Sequence, residues 1–144
     1  MRSAIEIAAG RSDLVLLSGG LGPTMDDLTV DVVAAIAGEE PVIHESSAAR
    51  MRERFTELGV PLVANATRQV RVVAGARVYD NPAGLAPGFE IALGQAQIIC
   101  LPGPPPELQA IFSTHLEQRI VALRDARGNR VSETQPNANL ASCP

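Results

Sequence analysis

Two adjacent carboxylates, Asp26 and Asp27, follow a glycine-rich stretch that ends at Gly22. Glycines at positions 19, 20 and 22 let the backbone adopt positive φ and bring N–H groups close to an anionic ligand. Bare carboxylates beside such a loop would repel a polyphosphate. A divalent cation such as Mg²⁺, held by one or two carboxylates and by substrate phosphates, would remove that conflict. The alternative is that both aspartates only complement the dipole of a following helix, and the residues alone leave both interpretations open.

The glycine stretch must be positioned by a strand before it and a helix after it. Leu14 to Leu17 form a short apolar run, which predicts a central strand that is buried on both faces. Thr24 with Asp27 three residues later fits a capping box, so a helix is predicted from Met25 to Ala37. The predicted apolar face of this helix consists of Leu28, Val32, Ala35 and Ile36. Strand, loop and helix N-terminus together suit a phosphate-bearing ligand.

A second strand, loop and helix lie in the C-terminal half of the chain. Phe89 to Leu93 and Ala96 to Leu101 are apolar runs separated by two residues, which predicts a hairpin. The second run is expected to lie parallel to the first strand of the chain and to deliver a proline-rich loop at its carboxyl end, where α/β sheets bind ligands. Glu107 suits the first turn of the helix that follows. We therefore predict that this loop and the glycine loop meet at one edge of the sheet.

The other segments complete a predicted α/β domain. Residues 1–11 have helical periodicity, and Ser46 or Ser47 is expected to cap a helix that ends at Gly59. Its predicted buried residues are Ala48, Met51, Phe55 and Leu58. Gln69 to Val73 are a candidate strand, and the turn-rich segment 81–88 excludes regular secondary structure. The expected fold is a three-layer α/β domain, with a mostly parallel sheet and helices on both faces.

Composition narrows the function classes. The chain has 144 residues, 46% of them hydrophobic and 19% charged, as expected for one globular domain. Its net charge of −4 gives no indication of a nucleic-acid partner, and no apolar run approaches the ~20 residues that cross a bilayer. Cys100 lies in an apolar run and Cys143 in a polar segment, so neither a disulfide nor a metal site is predicted. A reduced, cytoplasmic setting is the expectation.

Three ordered motifs carry a family resemblance. They are Gly19 to Thr29, Asn81 to Phe89, and Leu101 to Leu108. Together they resemble the amino-terminal domain of CinA, the competence/damage-inducible protein, within the MoaB/Mog-like molybdopterin-binding superfamily. The resemblance covers about residues 1–123 and lacks the family's opening strand-helix-strand segment. It divides the chain into an incomplete CinA-like domain at 1–124 and a polar, mobile tail at 125–144.

The resemblance implies a small phosphorylated ligand, either a nucleotide or molybdopterin, and a role in metal-dependent hydrolysis of ADP-ribose-type pyrophosphates. It makes Asp26 and Asp27 the catalytic and metal-holding residues for Mg²⁺ or another divalent metal. The implied ligand-binding residues are Gly19, Gly20, Gly22, Pro23, Thr24, Asn81, Gly84, Gly103, Pro104 and Glu107. Molybdopterin adenylylation and a non-catalytic binding or assembly module are the alternatives. Relatives self-associate, so a homo-oligomer is a further expectation, whereas neither nucleic acid nor membrane is an expected partner.

Overall fold

A computed structural model of the protein describes residues 1–126 and 128. The elements of this part of the chain are α1 (Arg2–Arg11), β1 (Leu14–Ser18), α2 (Thr29–Ala37), β2 (Pro41–Ile43), α3 (Glu45–Glu57), a 3₁₀ helix (Ala64–Val70), β3 (Arg71–Val73), β4 (Arg77–Tyr79), β5 (Gly88–Leu93), β6 (Ala96–Leu101), α4 (Pro105–Ile111), a π-helical segment (Phe112–Leu116) and α5 (Glu117–Ala126). Among the described residues the strands form a four-stranded sheet in the order β1-β6-β5-β4 and a two-stranded sheet of β2 and β3.

The strand pairing confirms the predicted arrangement of the two halves and corrects the sheet. β1 pairs in parallel with β6, from Leu14 opposite Gln97 to Ser18 opposite Leu101. β5 and β6 form the predicted hairpin. The α/β class is confirmed, but the sheet is mixed rather than mostly parallel, because β5 pairs antiparallel with β6 and β4 antiparallel with β5.

The predicted central position of β1 is wrong. In the described part of the chain β1 is an edge strand with β6 as its neighbour. Its burial is also one-sided, since Val15 is 8% exposed and Leu16 is 47% exposed. An apolar run indicates a strand but does not encode how many neighbours that strand has, so edge and central strands of similar composition are indistinguishable in sequence.

Helices cover both faces of the four-stranded sheet, as predicted. Ala96, Ile98 and Cys100 of β6 belong to one core cluster, which also contains residues of α1 and α2. Ile99 and Leu101 belong to a second cluster, which contains Ile111 and Leu116. The alternation along β6 follows from the two-residue period of a strand, and it gives the domain its three layers.

Helix α2 begins later than predicted, at Thr29 rather than Met25. Thr29 donates a backbone hydrogen bond to the Gly20 carbonyl at 3.1 Å and a hydroxyl hydrogen bond to the Gly19 carbonyl at 2.8 Å. These contacts tie the first helical residue to the glycine loop. The later start also changes which face is buried, because Val30, Val33 and Ala34 enter the core whereas Leu28 and Ala35 are exposed.

Several further predictions need local correction. Helix α3 begins at Glu45 after His44, so Ser46 and Ser47 lie inside the helix and do not cap it. Gln69 and Val70 belong to the 3₁₀ helix, which shortens the predicted strand to Arg71–Val73, and β5 begins at Gly88, at the end of the segment expected to lack regular structure.

α1 and α3 are present, but Leu58 at the end of α3 is 58% exposed instead of buried. β4 has no counterpart in the sequence prediction, because three residues are too short to display a periodic pattern. α5 continues to Ala126, two residues into the segment predicted as a tail, and 127 and 129–144 lie outside the described residues. No helix among the described residues has the length and apolar character needed to cross a bilayer.

A buried ion pair fixes α5 to the sheet. Glu90 of β5 is 3% exposed and accepts hydrogen bonds from Arg119 Nε at 2.9 Å and Arg119 Nη2 at 2.5 Å. The hydroxyl of Tyr79 donates to the same carboxylate. Burial acts to raise the pKa of Glu90, but the hydrogen bonds from Arg119 and Tyr79 outweigh it and leave that pKa below its ordinary value. Burial and the Glu90 carboxylate together raise the pKa of Tyr79 to about 12.

Replacing Glu90 with Gln is expected to lower the free energy of unfolding by about 2 kcal/mol near neutral pH, because Arg119 loses a charge-assisted pair of hydrogen bonds. The pKa of Glu90 is depressed, so its contribution is fully present above the ordinary carboxyl pKa of 4.5 and is lost as pH falls through the lower pKa of the folded state. Urea unfolding of both proteins across acid and neutral pH measures this difference.

The matched control is Glu6→Gln, which removes an exposed i,i+4 pair with Arg2 and should cost less than about 0.5 kcal/mol. Equal costs for Glu90→Gln and Glu6→Gln would contradict the structural importance of the buried pair.

Candidate functional site

The glycine loop and the proline-rich loop meet at the carboxyl edge of β1 and β6, as predicted. The Gly19 N–H donates to the Leu101 carbonyl at 2.9 Å, which extends the parallel ladder one step beyond the strands. The Ser18 hydroxyl donates to the Pro102 carbonyl at 3.4 Å. A Cβ atom placed on Gly103 would lie 3.4 Å from Gly19 Cα, so the two backbones pass in contact.

Glycine is required in this loop by both conformation and space. Gly19 and Gly20 have φ values of 94° and 72°, in the left-handed region that side chains disfavour. A Cβ atom on Gly20 would lie 2.2 Å from the Thr29 hydroxyl oxygen. The loop can therefore lie directly on the first turn of α2 only because residue 20 has no side chain.

The two loops enclose a cavity of about 310 Å³, which we call the glycine-loop cavity. It is lined by eight of the predicted site residues: Gly19, Gly20, Gly22, Pro23, Asp27, Gly103, Pro104 and Glu107. Four more lining residues are absent from the predicted site: Leu21, Gln69, Ala86 and Pro102. The sequence predicts Gln69 only as the first residue of a candidate strand, a pattern that does not indicate a contact with a ligand. Thr24, Asp26, Asn81 and Gly84 are not among the lining residues.

Asp27 is held against the glycine loop by several donors. The Thr24 hydroxyl donates to Asp27 Oδ2 at 2.5 Å, and the Thr24 N–H donates to the same oxygen at 2.9 Å. The Thr24 hydroxyl, followed by the backbone N–H groups of Thr24 and Gly22 and the charge of Arg68, holds the pKa of Asp27 below its ordinary value despite partial burial. Only half of the predicted capping box forms, because the Asp27 N–H donates to the Thr24 carbonyl and not to its hydroxyl, and the turn precedes α2, whose N-cap is Leu28. Asp27 is an ionised carboxylate at the wall of the cavity.

Asp26 has a different environment from Asp27. Asp26 is exposed and does not line the glycine-loop cavity. The sequence could not show which of the two aspartates faces the cavity, because the directions of adjacent side chains in a turn depend on the folded backbone.

Few side chains of the candidate site could ligate a metal ion. Among the described residues, no group of three or more His, Cys, Asp or Glu side chains is arranged to hold a metal. The glycine-loop cavity has two carboxylates, Asp27 and Glu107. Mg²⁺ is usually held by one or two carboxylates together with substrate phosphates, so this set fits a cation that arrives with a phosphorylated ligand and does not fit a fully protein-ligated metal.

Two of the predicted ligand residues, Asn81 and Gly84, contact the Glu107 carboxylate and do not line the glycine-loop cavity. Asn81 is 2% exposed and its Nδ2 donates to Glu107 Oε2 at 2.6 Å and to the Ala86 carbonyl at 2.9 Å. A Cβ atom on Gly84 would lie 2.2 Å from Glu107 Oε2. Both residues therefore position Glu107 rather than line the glycine-loop cavity.

An arginine-aspartate network holds the other side of the glycine loop. Arg71 donates two hydrogen bonds of 2.9 Å to the Asp31 carboxylate, and Arg68 donates to it at 3.2 Å. Arg68 Nη2 also lies 3.4 Å from the Asp27 carbonyl oxygen. The network joins the 3₁₀ helix and β3 to the start of α2, and the Arg71 hydrogen bonds are the main cause of the lowered pKa of Asp31. Sequence periodicity offers no signal for it, because Arg68 and Arg71 lie 37 and 40 positions from Asp31.

These features define an α/β ligand-binding domain whose site lies at the carboxyl edge of parallel strands, where a glycine loop precedes a helix. The family model described as "Probable molybdopterin binding domain" matches residues 1–122. The chain belongs to this molybdopterin-binding domain family and is similar to its CinA-like members.

Curated relatives support this assignment. A CinA-like protein of Anaeromyxobacter sp. (strain Fw109-5) is 42% identical over 120 residues, which are 83% of this chain and 29% of the relative. A CinA-like protein of Dictyoglomus thermophilum is 42% identical over 116 residues, or 81% of this chain and 28% of the relative. The chain spans less than a third of the length of these relatives.

Solved structures agree on the fold. The crystal structure of CinA from Thermoplasma acidophilum, a protein described as having unknown function, is 34% identical in sequence to this chain and superimposes on it with a TM-score of 0.71. That match covers 83% of this chain and 69% of the solved chain. The molybdopterin biosynthesis enzyme MoaB of Thermus thermophilus gives a TM-score of 0.50 at 22% identity, with 89% of this chain and 67% of that chain covered, and shares the fold alone.

The substitution Gly20→Ala tests the close packing of the loop on α2. It should lower the free energy of unfolding by roughly 3 kcal/mol, because alanine must adopt a left-handed conformation and also collide with Thr29. Chemical denaturation measures the loss.

Gly38→Ala provides the matched control, because Gly38 has φ of 73° but its Cβ position is open. We expect it to cost only the conformational penalty of about 1 kcal/mol. Equal losses for the two variants would contradict the contact between the loop and Thr29.

Proposed function

We propose that this domain binds the phosphate groups of a nucleotide or pterin ligand in the glycine-loop cavity. The observation that carries the proposal is an ionised carboxylate, Asp27, on the wall of a cavity built from the backbone of two glycine- and proline-containing loops. The cavity lies where α/β sheets bind ligands. Family membership supports a small pterin-type ligand, and the CinA-like motifs support a nucleotide.

The backbone donors of the loop are unequally available to a phosphate. The Gly19 N–H already donates to Leu101, and the Gly22 N–H faces the Asp27 carboxylate. Among the described contacts no hydrogen bond engages the Gly20 N–H. We infer that Gly20 is the first donor to a ligand phosphate, and that Gly22 becomes a second donor if Asp27 turns toward a cation.

The reaction we propose is hydrolysis of a pyrophosphate bond in an ADP-ribose-type substrate. Asp27 would hold Mg²⁺ or another divalent metal, which would neutralise charge on the phosphates when bound, whereas Asp26 does not line the cavity. Glu107, held in place by Asn81, presents a second carboxylate across the cavity. Water adds to one phosphorus and the bond to the bridging oxygen breaks, so ADP-ribose gives AMP and ribose 5-phosphate.

Molybdopterin adenylylation is the second candidate. It is favoured by the molybdopterin-binding family description and by the fold shared with MoaB. Both reactions require a glycine loop and an acidic residue near a phosphate. The Asp26-Asp27-Leu28-Thr29 form of the loop and the segment Asn81 to Phe89 favour the CinA-type reaction.

Calorimetric titration of ADP-ribose with and without Mg²⁺, on the wild-type chain and on Asp27→Asn, tests the proposal. We expect Mg²⁺ to strengthen binding to the wild type by about tenfold or more, and Asp27→Asn to abolish that dependence. The fold should survive, because asparagine can accept the same backbone hydrogen bonds, at a cost of about 1 kcal/mol or less.

Asp125→Asn is the control, since Asp125 is an exposed residue of α5 that pairs with Arg124. It should retain wild-type affinity under both conditions. Equal affinity in all of these titrations would leave Asp27 as a loop-stabilising residue. Release of AMP distinguishes hydrolysis from binding alone.

A further inference from the structure

Three charged side chains meet beside the glycine loop, and their charges do not cancel. Arg71 donates two hydrogen bonds of 2.9 Å to the Asp31 carboxylate, so this carboxylate already has a bidentate partner. Arg68 donates to the same carboxylate at 3.2 Å, and its Nε is shielded from solvent and has no hydrogen-bond partner among the described residues. Two guanidinium groups on one carboxylate leave a surplus of one positive charge. Arg68, the less tightly bound of the two, carries this surplus.

The surplus charge lies next to the glycine-loop cavity. Arg68 Nη2 is 3.4 Å from the Asp27 carbonyl oxygen, and Gln69, the next residue along the chain, lines the cavity together with Asp27. Arg68 itself is not a lining residue, so it acts on the cavity through its charge and through its contact with the Asp27 main chain. Its side chain is only 24% exposed, so water and salt screen this charge less than they screen the charge of a surface arginine.

We propose that Arg68 determines which ligand enters the glycine-loop cavity first, because its charge favours a phosphate anion and disfavours a bare divalent cation. This inference rests on the proposed phosphate site and makes Arg68 a positioning residue that sets the order of binding. The two carboxylates of the cavity, Asp27 and Glu107, would otherwise attract a divalent cation before any phosphate is present. Arg68 offsets part of that attraction, so the cation enters together with phosphate or after it.

A purely structural role for Arg68 predicts a different result. If Arg68 only held the 3₁₀ helix against the turn that contains Asp27, its removal would loosen the cavity and weaken the binding of every ligand. An electrostatic role changes the two affinities in opposite directions, since the same positive charge repels a cation and attracts an anion. The sign of the change in cation affinity therefore separates the two roles.

Separate titrations with Mn²⁺ and with inorganic pyrophosphate test the inference on the wild-type chain and on Arg68→Gln. Mn²⁺ prefers the same oxygen ligands as Mg²⁺ and is detected directly by electron paramagnetic resonance. Compared with the wild type, Arg68→Gln should bind Mn²⁺ about threefold or more tightly and pyrophosphate about tenfold or more weakly. The fold should be retained because Arg71 keeps its bidentate contact with Asp31, and thermal unfolding verifies this.

Two further variants control for the charge. Arg68→Lys keeps a positive charge at this position, so both affinities should stay within about twofold of the wild type. Arg52→Gln removes one positive charge elsewhere, because Arg52 is an exposed residue of α3 that pairs with Glu45 and does not line the cavity. Both affinities of this variant should equal those of the wild type.

The outcomes separate this inference from the phosphate site. If the wild type binds pyrophosphate but Arg68→Gln binds Mn²⁺ no more tightly, or pyrophosphate no more weakly, Arg68 does not set the order of binding and the phosphate proposal stands. Weaker binding of both probes by Arg68→Gln identifies a structural role and likewise overturns the inference. If the wild type does not bind pyrophosphate, the phosphate proposal fails together with this inference.

Discussion

The parallel pairing of β1 with β6 is the constraint on which the rest of this domain depends. The paired segments are Leu14–Ser18 and Gln97–Leu101, about 80 residues apart in the chain, so closing this contact brings the two loop-bearing halves together. Each backbone hydrogen bond contributes only about 0.5–1.5 kcal/mol net, and burial of both faces of β6 supplies the larger stabilisation. Gly19 continues the ladder to Leu101, so the glycine loop starts in a position set by the sheet.

Ion pairs and hydrogen bonds to carboxylates then fix the loops and helices that surround the cavity. The Arg68, Arg71 and Asp31 network attaches the segment carrying Gln69 to the start of α2. On the opposite wall, Asn81 holds Glu107 at the first turn of α4. Because these groups are at least partly removed from water, breaking one contact leaves an unsatisfied partner, which favours a single arrangement of the cavity walls. The position of the carboxylates is thus a property of the fold.

Asp27 has two roles that compete for the same carboxylate. As a loop residue it accepts hydrogen bonds from Thr24 and fills the space next to Gly22, where a Cβ atom would lie 2.5 Å from Asp27 Oδ2. As a proposed metal ligand, Asp27 would coordinate the cation, and the backbone N–H groups of Thr24 and Gly22 would then be free to donate to a phosphate. Both roles require an ionised carboxylate, and its lowered pKa ensures that state at neutral pH. The proposed coupling of metal and phosphate binding follows from this competition.

Sequence by itself determined the α/β class and the hairpin, because periodicity and turn chemistry are local properties. The general rule that α/β sheets bind ligands at the carboxyl ends of their strands gave the parallel relation of the strands ending at Ser18 and Leu101, and the family resemblance gave most residues of the cavity. It did not determine that β1 is an edge strand, that α2 begins at Thr29, or that Asp27 and not Asp26 lines the cavity. Only the tertiary structure decided these features, since they depend on which distant groups meet. The Thr29 contacts with the glycine loop and the support of Glu107 by Asn81 have no periodic signal in the sequence, because they join residues that lie 10 and 26 positions apart and meet through irregular segments.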